Sequence, residues 1–321
     1  MAVPSNTEQT INLIGLREDL VDLIYNVDPT ETPFLTTAKR TKATNVKHEW
    51  QTDALAAAST SNAQVEGDDA AADAATYTTR LNNYTQISRK VPQVSGTARA
   101  TNPAGRKDEL GYQIMKRAKE LKRDMEAILT ANQASTVATP STARNLGSLG
   151  AWIKTNGIAY TAQGGANPSA ADGTHARTDA SATTALTEAN VKTCLADIFT
   201  TGGDPDFGFM SAVNKQIFSG FSGNSATRYV EFDKEKNQKF FTAFDVYVSD
   251  FGDVRLVPDR FQRSRDVWFI DSDYVAVSYL RPFETIPLSK TGDSDRKMLL
   301  AEYTLEMRNE KAHGGVFDTT G

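Results

Sequence analysis

The amino-acid sequence predicts an α+β fold, and three observations support this prediction. An apolar stripe with helical spacing runs through residues 103–131. Short segments in which apolar and polar residues alternate lie before and after that helix, as expected of strands with one buried face. The chain then closes on a further alternating segment, Met298–Met307. With 321 residues, the chain is long enough for two or three domains and a sizeable core.

Composition and charge exclude several classes of protein. A single cysteine, Cys194, excludes a disulfide framework and a cysteine-rich metal site. The 35 Lys and Arg residues are outnumbered by 40 Asp and Glu residues, and the net charge of −5 is not the basic footprint of a DNA-wrapping or membrane-coating protein. No window approaches the ~18 apolar residues of a membrane span, and the first ten residues lack the features of a signal peptide. We therefore expect an intracellular protein with no membrane partner.

Two stretches of the chain contain few large apolar side chains. Asp53–Thr79 offers only three of them to a core, and Ala131–Ala185 is mostly Ala, Ser, Thr, Gly and Asp around Trp152. Segments like these bury too little area to offset the entropy of ordering them. They are therefore either disordered or ordered only where they lie on a neighbouring subunit.

The N-terminal region is predicted to be an arm. Ile11–Tyr25 has the apolar spacing of a short amphipathic helix, and the Xaa-Pro pairs at 28–29 and 32–33 then favour an extended path. Phe34 and Leu35 follow, with little local sequence to bury them. Exposed apolar side chains on an extended arm suggest docking onto another surface.

A long β-hairpin is predicted next. Val46–Gln51 alternates with Trp50 on its apolar side, and Tyr84–Val94, which includes Arg89 and Lys90, alternates again. More than thirty residues separate the two segments, whereas most hairpin loops have about 2–5 residues, so the excursion implies a function or flexibility. Its acidic residues include Glu66, Asp68, Asp69 and Asp73.

The strongest local signal is a helix over Pro103–Ala131. Asn102 is a suitable N-cap, proline suits the first helical position, and Asp108 and Glu109 lie near the positive end of the helix dipole. The apolar stripe consists of Leu110, Ile114, Ala118, Leu121, Met125 and Ile128. The opposite face carries Lys116, Arg117, Lys119, Glu120, Lys122 and Arg123. Three interpretations of that face are a solvated surface, a nucleic-acid contact, and a bridge to an acidic loop of a neighbour.

After the second sparse stretch the sequence predicts a mixed region. Leu186–Phe199 has the pattern of an amphipathic helix capped by Thr187, and Cys194 falls near its apolar side, as a buried structural thiol would. Phe209–Phe221 is predicted to be a strand followed by a helix. Further strands are predicted at Phe244–Val248, Val254–Val257, Val267–Ile270, Tyr274–Leu280 and Met298–Met307.

The sequence contains no catalytic or metal-binding pattern. His48, His175 and His313 lie far apart, with no carboxylate or second histidine at ligand spacing, and no Walker A, Rossmann or G-x-S-x-G motif occurs. Asp271 and Asp273 could share one face of a strand, but no third group joins them, and we interpret them as surface turn residues. We therefore expect neither an enzyme nor a cofactor or metal site.

Several segments carry a resemblance to a known family: TPFL, KHEWQTDALAAA, NAQVEGDDA, NNYTQISRKVPQVSGT, KRAKELKRDMEAIL, GGDPD and LAEYTLEMRNEKAHGG. They are similar to the major capsid proteins of the phage SU10-like group, tailed bacteriophages whose capsid proteins have the HK97-like fold. The similarity runs from about Leu16 to Gly314. Its most specific part is the hairpin-to-helix block, and its least specific part is Ala134–Ala185.

The resemblance implies a division of the chain into the parts of that fold. Residues 1–45 would be the N-arm, and 46–98 the extended E-loop hairpin. Residues 99–150 would belong to the P domain with its long spine helix, and 151–284 would form the A domain. Residues 285–321 would return as the C-terminal strand of the P domain.

The resemblance also implies what the protein does. Copies of the chain would self-assemble into pentamers and hexamers and form the icosahedral head shell of the virion, assembled in the host cytoplasm. The shell would enclose double-stranded DNA without sequence-specific binding and join a portal. Because the arm follows Met1 directly, a separate scaffolding protein is expected. The HK97 prototype is cross-linked through an E-loop lysine, but this sequence has no lysine between His48 and Arg89, so non-covalent contacts or a decoration protein would reinforce the shell.

Charge predicts one contact between subunits, in which the acidic tip of the E-loop meets the basic face of another copy's spine helix. The candidate contact residues are Phe34, Leu35, Trp50, Glu66, Asp68, Asp69, Asp73, Arg89, Lys90, Arg117, Lys119 and Arg123. Two other classes stay open at this point. One is a protein-cargo nanocompartment shell of the same fold, and the other is a monomeric enzyme or carbohydrate-binding domain.

Overall fold

A computed structural model describes residues 28–67, 69, 74–101, 108–221 and 246–320. The strands of these residues are β1 (Lys39–Lys42), β2 (Lys47–Thr52), β3 (Thr79–Tyr84), β4 (Gln86–Lys90), β5 (Gln93–Ser95), β6 (Gly157–Ile158), β7 (Phe207–Met210), β8 (Val246–Ser249), β9 (Gly252–Pro258), β10 (Val267–Ile270), β11 (Val275–Pro287), β12 (Ser294–Met307) and β13 (Gly314–Val316). The helices are α1 (Pro33–Thr37), α2 (Gly96–Ala100), α3 (Glu109–Leu129), α4 (Leu149–Trp152), α5 (Glu188–Thr200) and α6 (Ala212–Ser219). The predicted helix Ile11–Tyr25 lies outside the described residues.

The strands form two larger sheets and one hairpin. The five-stranded sheet has the order β1-β11-β12-β4, and β5 pairs with the early part of β12. The six-stranded sheet has the order β6-β13-β10-β7-β9-β8. The long antiparallel pair of β11 and β12 forms the centre of the first sheet, and β1 joins β11 in parallel. This mixture of helices with largely antiparallel sheets confirms the predicted α+β class.

The hairpin consists of β2 and β3, which pair from Lys47 opposite Tyr84 to Thr52 opposite Thr79. The first strand agrees with the predicted Val46–Gln51, but the prediction that Tyr84–Val94 forms its partner is wrong. The chain leaves the hairpin at Thr85, and β4 and β5 pair with β12 instead. Both β3 and β4 alternate, so their periodicity does not reveal which strand each one pairs with.

Helix α3 lies across one face of the five-stranded sheet and confirms the predicted apolar stripe. Leu121, Met125 and Leu129 are fully buried, in a core that they share with alternate residues of β12. The described helix begins at Glu109, because Asp108 is its N-cap and accepts the backbone N–H groups of the first turn. The predicted N-cap Asn102 and the predicted first turn after it lie outside the described residues.

The later elements agree with the sequence in kind and differ in length. Thr187 caps α5 by accepting the N–H of Asn190 at 3.2 Å, as predicted. The strand and helix predicted within Phe209–Phe221 are β7 and α6, and β10 coincides with its prediction. The second core lies between the six-stranded sheet and helices α5 and α6, and it includes Cys194. Phe199, the last residue of the predicted amphipathic helix, is exposed.

Phe34 and Leu35 are not exposed on an extended arm, and that prediction is wrong. The segment that was expected to be extended instead contains the short helix α1, which has Pro33 at its first position. Phe34 is 1% exposed and lies edge-on to Phe209 with 5.8 Å between the ring centroids. Distant residues of the same chain supply the apolar surface that the neighbouring sequence lacks.

Part of the second sparse stretch, 131–185, also packs against its own chain. Trp152 of α4 is fully buried in the first core. Arg177 is buried with ion pairs to Asp266 at 2.7 Å and Asp179 at 2.9 Å, and its guanidinium lies 4.2 Å from the ring centroid of Phe317. Polar and cation–π contacts thus replace the large apolar side chains that the segment lacks.

The sheets divide the C-terminal region differently from the expected domains. A boundary at 284/285 would cut β11, which runs unbroken from Val275 to Pro287. The final residues 285–321 also do not form a single strand of one sheet. Strand β12 belongs to the five-stranded sheet, but β13 pairs with β10 and β6 in the six-stranded sheet. Hydrogen bonding between residues far apart in sequence decides this placement.

Among the described residues, no helix combines the length and the apolar character needed to cross a bilayer.

Candidate assembly surfaces

The root of the β2–β3 hairpin is fixed to the five-stranded sheet by buried aromatic and polar side chains. The Trp50 ring lies 5.4 Å from that of Trp152, and the His48 ring lies 5.7 Å from that of Trp50. Nε2 of His48 lies 3.1 Å from Oε2 of Glu306 on β12. Trp50, a predicted inter-subunit contact, therefore packs largely against its own chain.

Glu306 is the polar centre of this root. Thr41 and Ser278 each donate a hydrogen bond of 2.8 Å to one carboxylate oxygen, and Arg308 donates one of 2.9 Å to the other. Burial would raise the pKa of Glu306, but the hydrogen bonds from His48, Arg308, Ser278 and Thr41 outweigh it and hold the pKa below its ordinary value. The ionised carboxylate thus joins β1, β2, β11 and β12.

A second polar contact holds the point where the chain leaves the hairpin. The side chain of Asn83 donates to the carbonyls of Gly147 and Leu305 and accepts the N–H of Gly147. Thr85 donates to Glu302 at 2.8 Å, and Arg144 and Arg281 form ion pairs with the same carboxylate. The hairpin therefore leaves the body at a junction held by buried hydrogen bonds and ion pairs.

Beyond the root, the hairpin contacts little of its own chain. Every described residue from 53 to 78 is exposed, and Leu55 is exposed completely. Glu66 and Asp69 lie in this segment, while Asp68 and Asp73 lie outside the described residues. No strand pairing joins the described residues of this segment to the rest of the chain. A rigid root with an uncovered tip is the arrangement expected of a segment that binds another molecule.

The basic face of α3 has two kinds of residue. Arg117 pairs with Glu120 at 2.6 Å, and Arg123 lies over the ring of Phe261, so both have partners within the chain. Lys119 is exposed and has no ion pair to any described residue, and the same is true of Lys116 and Lys122. The three lysines form one exposed row at a spacing of three residues.

The two basic candidates on β4 point in opposite directions. Lys90 pairs with Asp124 at 2.6 Å and thereby joins β4 to α3. Arg89 is exposed on the other face of the sheet, beside Ile87. Only Arg89 is available to a partner.

Glu126 is a buried residue that the sequence analysis missed. Its two carboxylate oxygens accept the backbone N–H groups of Phe34 at 2.6 Å and Leu35 at 2.8 Å, so it holds the start of α1. Burial, together with the negative charge of Asp259, raises the pKa of Glu126 to about 8. Burial also raises the pKa of Asp259, whose Oδ2 lacks a donor among the described residues. In its protonated form, Glu126 donates the hydrogen bond that Oδ2 of Asp259 otherwise lacks.

Sequence patterns give only weak signals for these buried carboxylates. Glu126 directly follows Met125 in the apolar stripe, and a carboxylate next to a buried position could have been noticed. Glu302 and Glu306 lie on the face of β12 that the alternation marks as polar. That face is buried because the hairpin root covers it, which depends on contacts more than 200 residues apart in sequence.

Within the described ranges, His, Cys, Asp and Glu side chains form no group of three that could hold a metal ion. Cys194 is fully buried, and burial raises the pKa of its thiol far above the ordinary value. The thiol is therefore a structural group, as predicted.

Asp271 and Asp273 lie in a turn, where Oδ1 of Asp271 accepts the N–H of Asp273 at 2.9 Å. Asp271 is buried and Asp273 is exposed, so the interpretation of both as surface residues holds only for Asp273.

The fold is that of the HK97-like capsid proteins. The solved structure of the cyanophage A-1(L) capsid asymmetric unit is similar, with a TM-score of 0.68 at 14% sequence identity, over 95% of this chain and 98% of that one. A structure containing the Phage G major capsid and decoration proteins is similar over the whole of both chains, with a TM-score of 0.52 at 10% identity.

The model of the family described as SU10 major capsid protein matches residues 3–320, and the chain belongs to this family. It is also 29% identical over 337 residues to the major capsid protein of Escherichia phage Phieco32, covering 96% of this chain and 95% of that protein. The protein is a major capsid protein of a tailed phage, a structural component of the icosahedral virion shell and not an enzyme. This assignment excludes the nanocompartment and the monomeric domain.

Proposed function

We propose that the β2–β3 hairpin is the E-loop through which each subunit holds its neighbour in pentamers and hexamers of the shell. In this proposal residues 1–45 are the N-arm, and 46–98 form the E-loop and the strands that return from it. The P domain consists of α3 with the five-stranded sheet, and the A domain of the six-stranded sheet with α5 and α6. The A domain therefore includes β13, and the domain boundaries follow the sheets.

The observation that carries the proposal is the contrast between the two ends of the hairpin. The root is held by the half-buried Trp50 and the buried Asn83 and Glu306, whereas the tip is uncovered over its whole described length. A protein that functioned as a monomer would gain nothing from ordering the root of an unpartnered segment. A second subunit supplies the missing contacts.

Charge favours the exposed lysine row of α3 as the surface that the tip meets. Residues 53–79 carry five acidic residues and no Lys or Arg: Asp53, Glu66, Asp68, Asp69 and Asp73. The row of Lys116, Lys119 and Lys122 is exposed without an ion pair to a described residue. Because Arg117 and Arg123 have partners within the chain, the lysines replace them as the proposed contacts.

The contact gains its strength from repetition. One exposed ion pair contributes only ~0–1 kcal/mol. In a closed ring each subunit gives one tip and receives another, so the pairs add up around the ring and dissociation requires that they all break. Since no lysine lies between His48 and Arg89, the proposed reinforcement is non-covalent.

Charge reversal tests this proposal. Glu66→Lys with Asp69→Lys should reduce the yield of rings and shells, measured by size-exclusion chromatography and negative-stain microscopy. Adding Lys116→Glu and Lys119→Glu should restore the yield, because the pairs then form with opposite polarity. Glu284→Lys, which reverses an exposed carboxylate on β11, is the matched control and should assemble normally. Unaltered shells from the first variant would refute the contact.

The remaining proposed partners act on the assembled shell. A separate scaffolding protein would guide its closure, a portal would occupy one vertex, and double-stranded DNA would fill it without sequence-specific binding. A decoration protein accompanies the major capsid protein in the Phage G structure and is proposed here as a further reinforcement. Mass spectrometry of purified native particles tests each of these partners by its presence.

A further inference from the structure

The β8 edge of the six-stranded sheet differs from the β1 edge of the five-stranded sheet. Strand β8 pairs only with β9 within the described part of the chain, which leaves its other edge without a strand. Natural proteins protect such edges with charged residues or proline. The edge strand β1 of the other sheet has three basic residues among four, whereas β8 reads VYVS and carries no charge.

Apolar side chains are exposed on both faces of this edge. Val246 and Val248 lie on one face, and Val248 is 73% exposed. On the other face Phe251, in the turn between β8 and β9, stacks on Phe199 of α5 with 4.9 Å between the ring centroids. Phe199 is nevertheless 57% exposed. Apolar residues on both faces are typical of a strand inside a sheet, not of a strand that ends one.

Two opposite charges accompany the apolar residues. Arg255 lies opposite Val246 on β9, and Asp253 lies opposite Val248, so that both share the face of the two valines. Both are exposed, and neither forms an ion pair with a described residue. An arginine and an aspartate side by side complement a surface that offers the same pair in reversed order.

We propose that this edge, defined by Val246, Val248, Phe199 and Phe251, is a contact between two copies of this chain in the shell. The chain assembles with itself, so a second copy is present at high local concentration wherever the surface is exposed. A second copy that faces the first in the opposite direction also places its Asp253 next to Arg255 of the first copy and its Arg255 next to Asp253. This contact is distinct from the one proposed for the hairpin, and it rests only on the capsid function.

Thiol labelling tests the contact directly. The only native cysteine, Cys194, is fully buried, so Val248→Cys introduces the one accessible thiol. Maleimide should modify it rapidly in unassembled protein and about tenfold more slowly in shells formed by this chain alone, because the contact keeps the site closed most of the time. Val137→Cys, at a position that is 60% exposed on the 131–148 loop, is the matched control and should react at similar rates in both states.

Each other result would overturn the proposal. Slow labelling of Val248→Cys in unassembled protein would mean that residues of the same chain, such as 222–245, cover the edge. Equal rates before and after assembly would mean that no second copy binds there. Equal slowing at both positions would mean that assembly shields exposed sites in general.

A charge at the edge provides a second test. Val248→Asp should lower the melting temperature of unassembled protein only slightly, because the side chain is exposed although it lies opposite Asp253. It should lower the shell yield about tenfold because a buried unpaired charge opposes the contact. Val137→Asp should assemble with the native yield. Normal shells from Val248→Asp would refute the contact independently of the hairpin variants, since those leave β8 unchanged.

Discussion

Replacing Glu126 by Gln should remove a pH dependence from the stability of this capsid protein. Glu126 is fully buried and has a pKa raised to about 8 by burial and by the nearby Asp259. In the unfolded chain its pKa is the ordinary 4.5. Between pH 4.5 and about 8, Glu126 is therefore protonated in the folded state and ionised in the unfolded state. The protonated group stabilises the fold below this window, and that contribution is lost as the pH rises through it.

The size of the effect follows from linkage. One proton of difference lowers the free energy of unfolding by about 1.4 kcal/mol for each pH unit. Between about pH 6.5 and 8.5 the native protein should therefore lose roughly 2 kcal/mol of stability. Asp266, whose pKa is raised by burial to about 6, is mostly ionised when this range begins. Most of the loss over this interval is therefore assigned to Glu126 together with Asp259, whose pKa is also raised by burial.

The amide introduced by Glu126→Gln keeps one oxygen to accept the N–H of Phe34 and places an N–H₂ group where the protonated acid donates to Asp259. It loses one of the two hydrogen bonds to α1, at a cost of about 1–3 kcal/mol. Glu126→Gln should thus be less stable than the native protein at pH 6.5 and show a flat profile up to pH 8.5.

The assay is urea unfolding of unassembled protein, followed by the fluorescence of the buried Trp152 and Trp268 at several pH values. Glu120→Gln on the same helix removes an ion pair with Arg117 and is the matched control, for which we expect the native slope. If Glu126→Gln lost as much stability between pH 6.5 and 8.5 as the native protein, the reasoning would be refuted.

Three further predictions concern the buried polar groups. Arg177→Met removes one guanidinium from Asp266 and Asp318, which keep Arg263 and Arg265 as partners, so the free energy of unfolding in urea should fall by about 1–3 kcal/mol; an unchanged stability would contradict this. The pKa of Glu306 is held below its ordinary value, so its stabilisation is present above about pH 4.5 and is lost on acidification. Glu306→Gln should therefore be less stable at pH 7 and lose less stability towards pH 3, and parallel profiles would count against it. Because burial raises the pKa of Cys194, native protein should resist iodoacetamide at pH 8 and react only after unfolding; rapid labelling of native protein would be the opposite result.

Local periodicity was enough to predict the elements whose burial is set by their own spacing. The stripe from Leu110 to Ile128 identifies α3 because a helix with one buried face must repeat every three to four residues. The cap at Thr187 identifies the start of α5 because the hydroxyl satisfies a backbone N–H only three residues away. The class of fold follows from such local signals taken together, whereas the family follows from the resemblance of whole segments, above all the hairpin-to-helix block.

Tertiary contacts decided which surfaces these elements cover. Phe34 and Leu35 look exposed beside their prolines but are buried by Phe209 and by α3, more than ninety residues away in sequence. The strands that pair with β3, β4 and β13 could likewise not be predicted from the sequence. Alternation of apolar and polar residues shows that a strand has two different faces, but it does not show which strand lies beside it.

The sequence by itself therefore determined the helices, most strands, the family and the acidic character of the hairpin tip. Only the tertiary structure decided that Glu126 lies in a buried carboxyl pair and that Glu302 and Glu306 fix the hairpin root. It also decided that, among the described residues, the uncharged β8 forms a sheet edge. The physical reason is that the pKa of a carboxyl group and the exposure of a strand depend on distant residues packed around them, which short-range patterns do not encode.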